Sequence, residues 1–197
     1  MTKLFFGAAL AALAIGLPAV APAQRLSPAV VAVVDVARVS TECTACRAAA
    51  QQLQTQVQQL QQRAQQLRQP LQTEGQSLET ALRALNGKQP DAALQQRITA
   101  FQTKENTANQ ELAQAQQRLQ STQANVNRQI GERLRPILNT VLQQRGATVI
   151  LDKGGTLAAA ANVDVTNDVL AQLNQQLPSV SVTPLPQQTP PAQPQSR

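Results

Sequence analysis

Residues 53–85 read LQTQVQQLQQRAQQLRQPLQTEGQSLETALRAL, and residues 94–126 read LQQRITAFQTKENTANQELAQAQQRLQSTQANV. In the first stretch the apolar positions are Leu53, Val57, Leu60, Ala64, Leu67, Leu71, Leu78 and Leu85, spaced alternately by four and three, with Glu74 on one seam position and Ala81 filling the last step. In the second they are Leu94, Ile98, Phe101, Ala108, Leu112, Ala115, Leu119 and Val126, with Glu105 as the charged interruption. This alternation is the seam of a coiled coil. Between the stretches Asn86-Gly87 supplies a helix stop and a turn, and Pro90-Asp91 a restart with Asp91 as N-cap. Two helices rise at the same rate per residue, so seam partners in an antiparallel pair have numbers of constant sum. Leu53 with Val126, Leu60 with Leu119, Leu67 with Leu112, Leu78 with Phe101 and Leu85 with Leu94 all give 179. The spacing thus predicts a helical hairpin about 50 Å long. Glu74 and Glu105 share that sum, and Pro70 and Gly75 lie close by on the first helix. Facing like charges and two poor helix formers predict a flexible point, or alternatively a rigid kink at Pro70, about one third of the way from the tip. Pro136 predicts a bend near the base of the second helix.

Outward from the hairpin the pattern changes. Ala29 to Val36 is a β-branched, almost continuously apolar run, which predicts a strand buried on both faces. Ser40 and Thr41 are suitable N-caps for the helix that follows, with Glu42 in its first turn. After Arg145-Gly146, a cation and a glycine suited to a helix end, Ala147 to Leu151 returns to strand character and Lys153-Gly154-Gly155 turns. Leu157 to Ala161 is a candidate third strand, and Thr166 a candidate N-cap for an amphipathic helix through Val169, Leu170, Leu173 and Leu177. The fold class is α+β, mainly α. A small body from residues 24–43 and 146–177 carries a hairpin arm over residues 44–145, with its tip at 86–91. A body of about 60 residues is marginal for its own core, and association of several bodies is the remedy.

The termini read differently again. Lys3, the apolar run Leu4 to Leu17 and Ala21-Pro22-Ala23 form a secretory leader over residues 1–23, cleaved before Gln24. As a retained anchor the run falls short of the roughly 20 residues that span a bilayer. Export places the mature chain in the periplasm of a Gram-negative envelope. At the other end Pro178 stops the last helix, and residues 178–197, rich in Pro, Gln and Ser, are expected to be disordered.

Composition narrows the chemistry. The chain has no His, Trp or Tyr, and after the leader only one aromatic, Phe101. No histidine base or ligand is available, and nothing can stack nucleotide bases, so nucleic acid is excluded as a partner. Residues 44–145 hold twelve Arg and Lys against six acids, so the cationic surplus sits on the arm. Asp35, Asp152, Asp164 and Asp168 lie at strand ends or a helix start, where turns and caps use them, and Lys153-Gly154-Gly155 lacks the spacing of a phosphate loop. Cys43-Thr44-Ala45-Cys46 invites a thiol-disulfide reading. It precedes a coiled-coil arm instead of a thioredoxin-like βαβ unit, and two cysteines without histidine are too few for zinc, so a structural disulfide of Cys43 with Cys46 is the preferred reading. The Gln-rich cationic arm is either a plain solvated coil or a surface for many weak contacts with an unfolded acidic chain. On the second reading Arg63, Arg68, Arg83, Lys88, Arg97, Lys104 and Arg118 are the candidate contacts.

Val33 to Val39, Ala48-Ala49 with Leu53, Ala147 to Lys153, and Val163-Asp164-Val165-Thr166 running on to Asn174, in that order around a heptad hairpin, resemble the Skp/OmpH family of periplasmic chaperones. The resemblance covers Ala29 to Leu177. It implies a non-enzymatic, cofactor-free homotrimer whose small sheets join in one body while three arms surround a cavity. It also implies ATP-independent holding of unfolded outer-membrane proteins, and a membrane surface is a further candidate partner of such arms. An envelope scaffold or secretion adaptor built on the same coil is the alternative. The cysteine pair, the Gln-rich arms and the Pro-rich tail depart from the family pattern.

Overall fold

The computed structural model describes residues 28–186. The leader over residues 1–23 and the tail beyond Pro186 lie outside the described residues. The element order is β1 (Val31–Val34), α1 (Val36–Glu42), α2 (Thr44–Ala84), α3 (Ala92–Gln144), β2 (Val149–Asp152) and α4 (Thr166–Gln176), with short 3-10 turns at Lys153–Gly155 and Ala161–Val163.

Helices α2 and α3 form the arm. Their cross-helix ion pairs, Arg97 with Glu74 and Arg63 with Glu111, descend one helix while climbing the other, so the two run in opposite directions. Asn86 (φ 49°) and Gly87 (φ 86°) make the left-handed turn at the tip. Asp91 restarts the chain, its carboxylate accepting from the Leu94 amide at 2.8 Å. Most seam residues are half-buried, as a seam two helices wide dictates; Leu78, Ala108 and Val126 are buried outright. Val57 sits at the rim, 37% exposed.

Strand β1 pairs in parallel with β2, Val31 opposite Val149 through Val34 opposite Asp152, and the crossover between them is the whole arm. On its other side β1 meets the chain before α4: the Val165 amide donates to the Val33 carbonyl at 2.8 Å, and Val33 bridges Asp164 in parallel. This corrects the expected third strand. Leu157 to Ala161 is a loop with Leu157 fully exposed, because an alanine run without β-branching has little to gain on a sheet, and Asp164 makes the pairing instead.

The caps at the start of the arm also differ from expectation. Ser40 and Thr41 lie inside α1, where the Thr41 hydroxyl donates to the Ala37 carbonyl at 2.9 Å and is unavailable for capping. Asp35 caps α1 and the Cys43 sulfur caps α2. Thr166 is the first residue of α4 and not its cap. Its hydroxyl accepts from the Asp35 amide at 2.9 Å, tying the two ends of the body together.

The core lies where arm and body meet. Val34, Val39 and the two cysteines pack with Ala45 and Ala49 of α2, Val126 through Val141 of α3, and Val165, Val169, Leu173 and Leu177. The foot of the arm therefore belongs to the body's core, and the packing boundary falls inside α2 and α3 near Leu53 and Val126. The body thereby gains the apolar surface it would lack alone. Pro70 and Pro136 both lie within continuous helix.

A second correction concerns the tail. Residues 179–185 are not a loose end. They run along the foot of the arm with a bend at Thr183, with Val180 and Val182 against the core and backbone groups bonded to Gln56, Ser121, Asn125 and Gln129. Composition pointed to disorder, but Val180 and Val182 give the segment a period-2 apolar face to bury.

Candidate functional site

Only part of the cationic surface of the arm is free to meet a partner. Arg63 holds Glu111 through both guanidinium branches, with Nη2 to Oε2 at 3.0 Å. That hydrogen bond raises the Arg63 pKa and lowers that of Glu111. Arg97 donates to Glu74 at 2.9 Å and to the Ser77 hydroxyl at 3.0 Å. Arg83 pairs with Glu79, and Arg118 donates to the Gln114 carbonyl at 3.4 Å. Among the described residues Arg68, Lys88 and Lys104 make no ion pair. The seven expected contact residues are thus distributed along the arm and not gathered into one patch. Three of them are neutralised by acids of the arm itself.

The Glu74 pairing removes the expected repulsion between Glu74 and Glu105, because Arg97 reaches across from α3 and neutralises the first of these carboxylates. Gly75 faces the Phe101 ring, and a Cβ built there would lie in ordinary contact with it at 3.5 Å.

Three adjoining clefts open along the arm, apart from a fourth of about 520 Å³ on α3 between Ala92 and Thr103. At Pro70 the helices part around a cavity of about 360 Å³, floored by Leu67, Leu71 and Ala108 and rimmed by Arg63, Glu74, Lys104 and Glu111. Below it Leu60, Ala115 and Leu119 line a second cleft of about 300 Å³, with Arg63 and Arg118 at its edges. A third, of about 510 Å³, runs from Gln114 past Arg118 and Ser121 to Pro184 and Leu185 of the tail. Arg63 and Arg118 are each shared by adjoining clefts, so they form one track from the foot of the arm to Pro70. The two clefts nearer Pro70 have apolar floors with charged rims, which suit brief contacts with the side chains of an extended polypeptide; the third is lined mostly by polar groups.

Cys43 and Cys46 form a disulfide, buried against the core. The Cys43 sulfur accepts from the Cys46 amide at 3.0 Å. Exchange chemistry needs a sulfur that an incoming thiolate can reach; here the bridge fastens the first turn of α2. In the body Asp164 accepts from the Lys153 ammonium at 2.8 Å and from the Thr166 amide at 2.9 Å. Led by the Lys153 bond, these hold the Asp164 carboxyl down at about 2. Sequence reasoning missed this lock and the docked tail. The period-2 alternation Val180-Ser181-Val182-Thr183 is the signal that would have found the tail.

Comparison with known proteins bears on the whole arrangement. A crystal structure of an OmpH-like protein from Caulobacter crescentus CB15, proposed to be an outer membrane chaperone, superposes with a TM-score of 0.66 at 22% identity, over 82% of this chain and 96% of the other. At that identity the likeness shows the fold. No curated protein matches the chain. The family model described as outer membrane protein (OmpH-like) matches residues 30–173, from the strand that opens the body to the last helix. With the hairpin, the two-stranded sheet and most of the closing helix inside that span, the chain belongs to the OmpH-like family.

Proposed function

We propose that this protein is an ATP-independent periplasmic holdase that binds unfolded outer-membrane proteins and prevents their aggregation on the way to the outer membrane. The observation that carries the reading is the arm: two helices with a thin half-buried seam, a Gln-rich exterior and a chain of shallow clefts, two of them with apolar floors and charged rims. Such a surface makes many weak contacts and no single tight one, which suits a client without fixed structure. Arg68, Lys88 and Lys104 serve as long-range attractors for acidic stretches, while Arg63, Arg83, Arg97 and Arg118 exchange partners with the client at the cleft rims. The leader over residues 1–23 delivers the chain to the periplasm.

The protein acts as a homotrimer. The outer face of the sheet, covered at Val33 but open at its ends, supports self-association: Val31 is 41% and Leu151 46% exposed in the single chain, on strands whose continuous apolarity belongs to sheets covered on both faces. Several arms around one cavity raise avidity without a new contact.

The test is suppression of aggregation of a urea-unfolded outer-membrane β-barrel on dilution, measured by light scattering with the processed protein. Suppression without ATP, weakened in part by salt, is the expected result. If the oligomer leaves scattering unchanged at excess, an envelope scaffold or secretion adaptor becomes the better account.

A further inference from the structure

The chain's own tail occupies a groove at the foot of the arm, and the way it is held has a distinctive chemistry. Gln56 Nε2 donates to the Val182 carbonyl at 3.2 Å, Asn125 Nδ2 to the Thr183 carbonyl at 3.0 Å and Gln129 Nε2 to the Ser181 carbonyl at 2.9 Å. In return the Ser181 amide donates to Gln129 Oε1 at 3.0 Å and the Leu185 amide to the Ser121 hydroxyl at 3.0 Å. Each of these bonds ends on the backbone of the tail. Of the side chains, Val180 and Val182 lie against the core and Leu185 lines the cleft beside Arg118 and Ser121, while the Ser181 and Thr183 hydroxyls bond to each other at 2.9 Å. Around Ser181 the groove therefore reads the backbone of a segment with apolar residues two apart, Val180 and Val182, and the third apolar residue it meets, Leu185, follows a bend at Thr183.

We infer that this groove is a binding site for extended polypeptide segments of alternating apolar and small polar residues, and that residues 179–185 are a tethered stand-in that keeps it closed until such a segment displaces them. The inference rests on the holdase reading for its natural occupant, a transmembrane β-strand of an unfolded outer-membrane protein. Such strands alternate apolar and polar residues, the pattern that the tail itself displays.

The geometry joins the groove to the arm. Leu185, the last strap residue anchored to α3, lines the lowest of the three adjoining clefts, and Arg118, part of the same lining, also lines the next. A strand seated in place of the strap would continue directly into the track that climbs to Pro70. The tether is short, since the strap begins within three residues of the end of α4 at Gln176. Its effective concentration is accordingly high, on the order of millimolar, and a weak incoming segment does not open the groove unless many arm contacts act with it. The groove thus engages only clients already held by the arm.

The test uses the full mature chain and a fluorescein-labelled peptide, Ser-Val-Ser-Val-Thr-Pro-Leu, copied from the strap. Two substitutions release the strap independently: Ser181→Pro removes the amide that Gln129 accepts, and Val182→Asp places a charge against the core. Fluorescence anisotropy should show the peptide binding at least about tenfold tighter to both variants than to wild type. Adding Gln56→Ala with Gln129→Ala to Val182→Asp should abolish that gain. A peptide N-methylated at its second serine should bind the released variants about tenfold more weakly than the unmodified one. Unchanged affinity in both release variants overturns the inference, even where the same proteins still suppress aggregation of an unfolded β-barrel. Failure to suppress aggregation removes the holdase reading instead, and leaves the peptide result to decide the groove.

Discussion

Asp164 accepts three hydrogen bonds, one from Lys153 and two from Thr166, and the first of these contributes most to holding its carboxyl at about 2 instead of the ordinary 3.8. A carboxylate whose pKa is lower folded than unfolded adds stability that is fully present above the unfolded value and disappears as the pH falls through the folded one. The lock between β2 and α4 should therefore weaken between about pH 4 and pH 2. Urea unfolding of wild type and Asp164→Asn across that range checks it. The variant should be the less stable above pH 4, and the gap should close toward pH 2; a gap that stays constant would show that the charge of Asp164 contributes nothing. At the tip, Asp91→Ala removes the cap on Leu94 and should cost about 1 kcal/mol locally, read as roughly fivefold faster hydrogen exchange in the first turn of α3. The two residues differ in legibility. Asp91 caps an amide three residues on, so its role could be read from its neighbours. Thr166 was read as a cap because its hydroxyl was counted as a local resource, whereas it serves the Asp35 amide 131 residues away. No local pattern carries that information.

Among the elements, the arm shows how far periodicity reaches. The heptads of α2 and α3 were legible because each seam residue repeats the same physical demand, and Leu60 and Leu119 do line one cleft. The ends of the side chains were not legible. Equal height set Glu74 against Glu105, but a guanidinium on a long stem reaches across the seam, and Arg97 takes Glu74. Gly75 was read as a weakness in the same way. A Cβ there would meet Phe101 at an ordinary van der Waals distance of 3.5 Å, so Gly75→Ala should lose no packing and gain helix propensity, stabilising α2 by up to about 1 kcal/mol in thermal unfolding. A destabilised variant would mean that Phe101 needs more room than this geometry allows. The disulfide is the other local device. It closes a loop of only four residues from Cys43 to Cys46, for which chain entropy gives about 2 kcal/mol. Reduction, or Cys43→Ser with Cys46→Ser, should lower stability by about that amount while aggregation is still suppressed. Loss of suppression in a folded reduced protein would restore a redox role.

At the scale of the molecule, the single chain leaves an imbalance that association would remove. Ala32, Val34 and Ile150 turn one face of the sheet into the core, while Val31, Val33, Val149 and Leu151 point the other way; Val33 is buried on that side, but Val31 and Leu151 remain more than two fifths exposed. Strand β1 is paired on both sides, by β2 and by the Asp164 segment, but among the described residues nothing pairs the outer edge of β2. An open edge beside an exposed apolar face is a template for another copy. The cationic surplus lies on the arms, so bodies can meet without bringing the most charged parts of the molecule together. If the body closes by self-association, the bound copies stabilise each fold by mass action, and the thermal midpoint must rise with protein concentration. Leu151→Lys places a charge on the exposed part of that outer face without touching the core, where Ile150 and not Leu151 packs. Sedimentation should find three chains for wild type and one for Leu151→Lys, and the variant's thermal midpoint should no longer depend on concentration. Its far-ultraviolet spectrum should stay helical, because the core at the foot of the arm is built within one chain. Should Leu151→Lys sediment as wild type does, or should wild type run as a monomer with a concentration-independent midpoint, the exposed sheet face is not where copies meet.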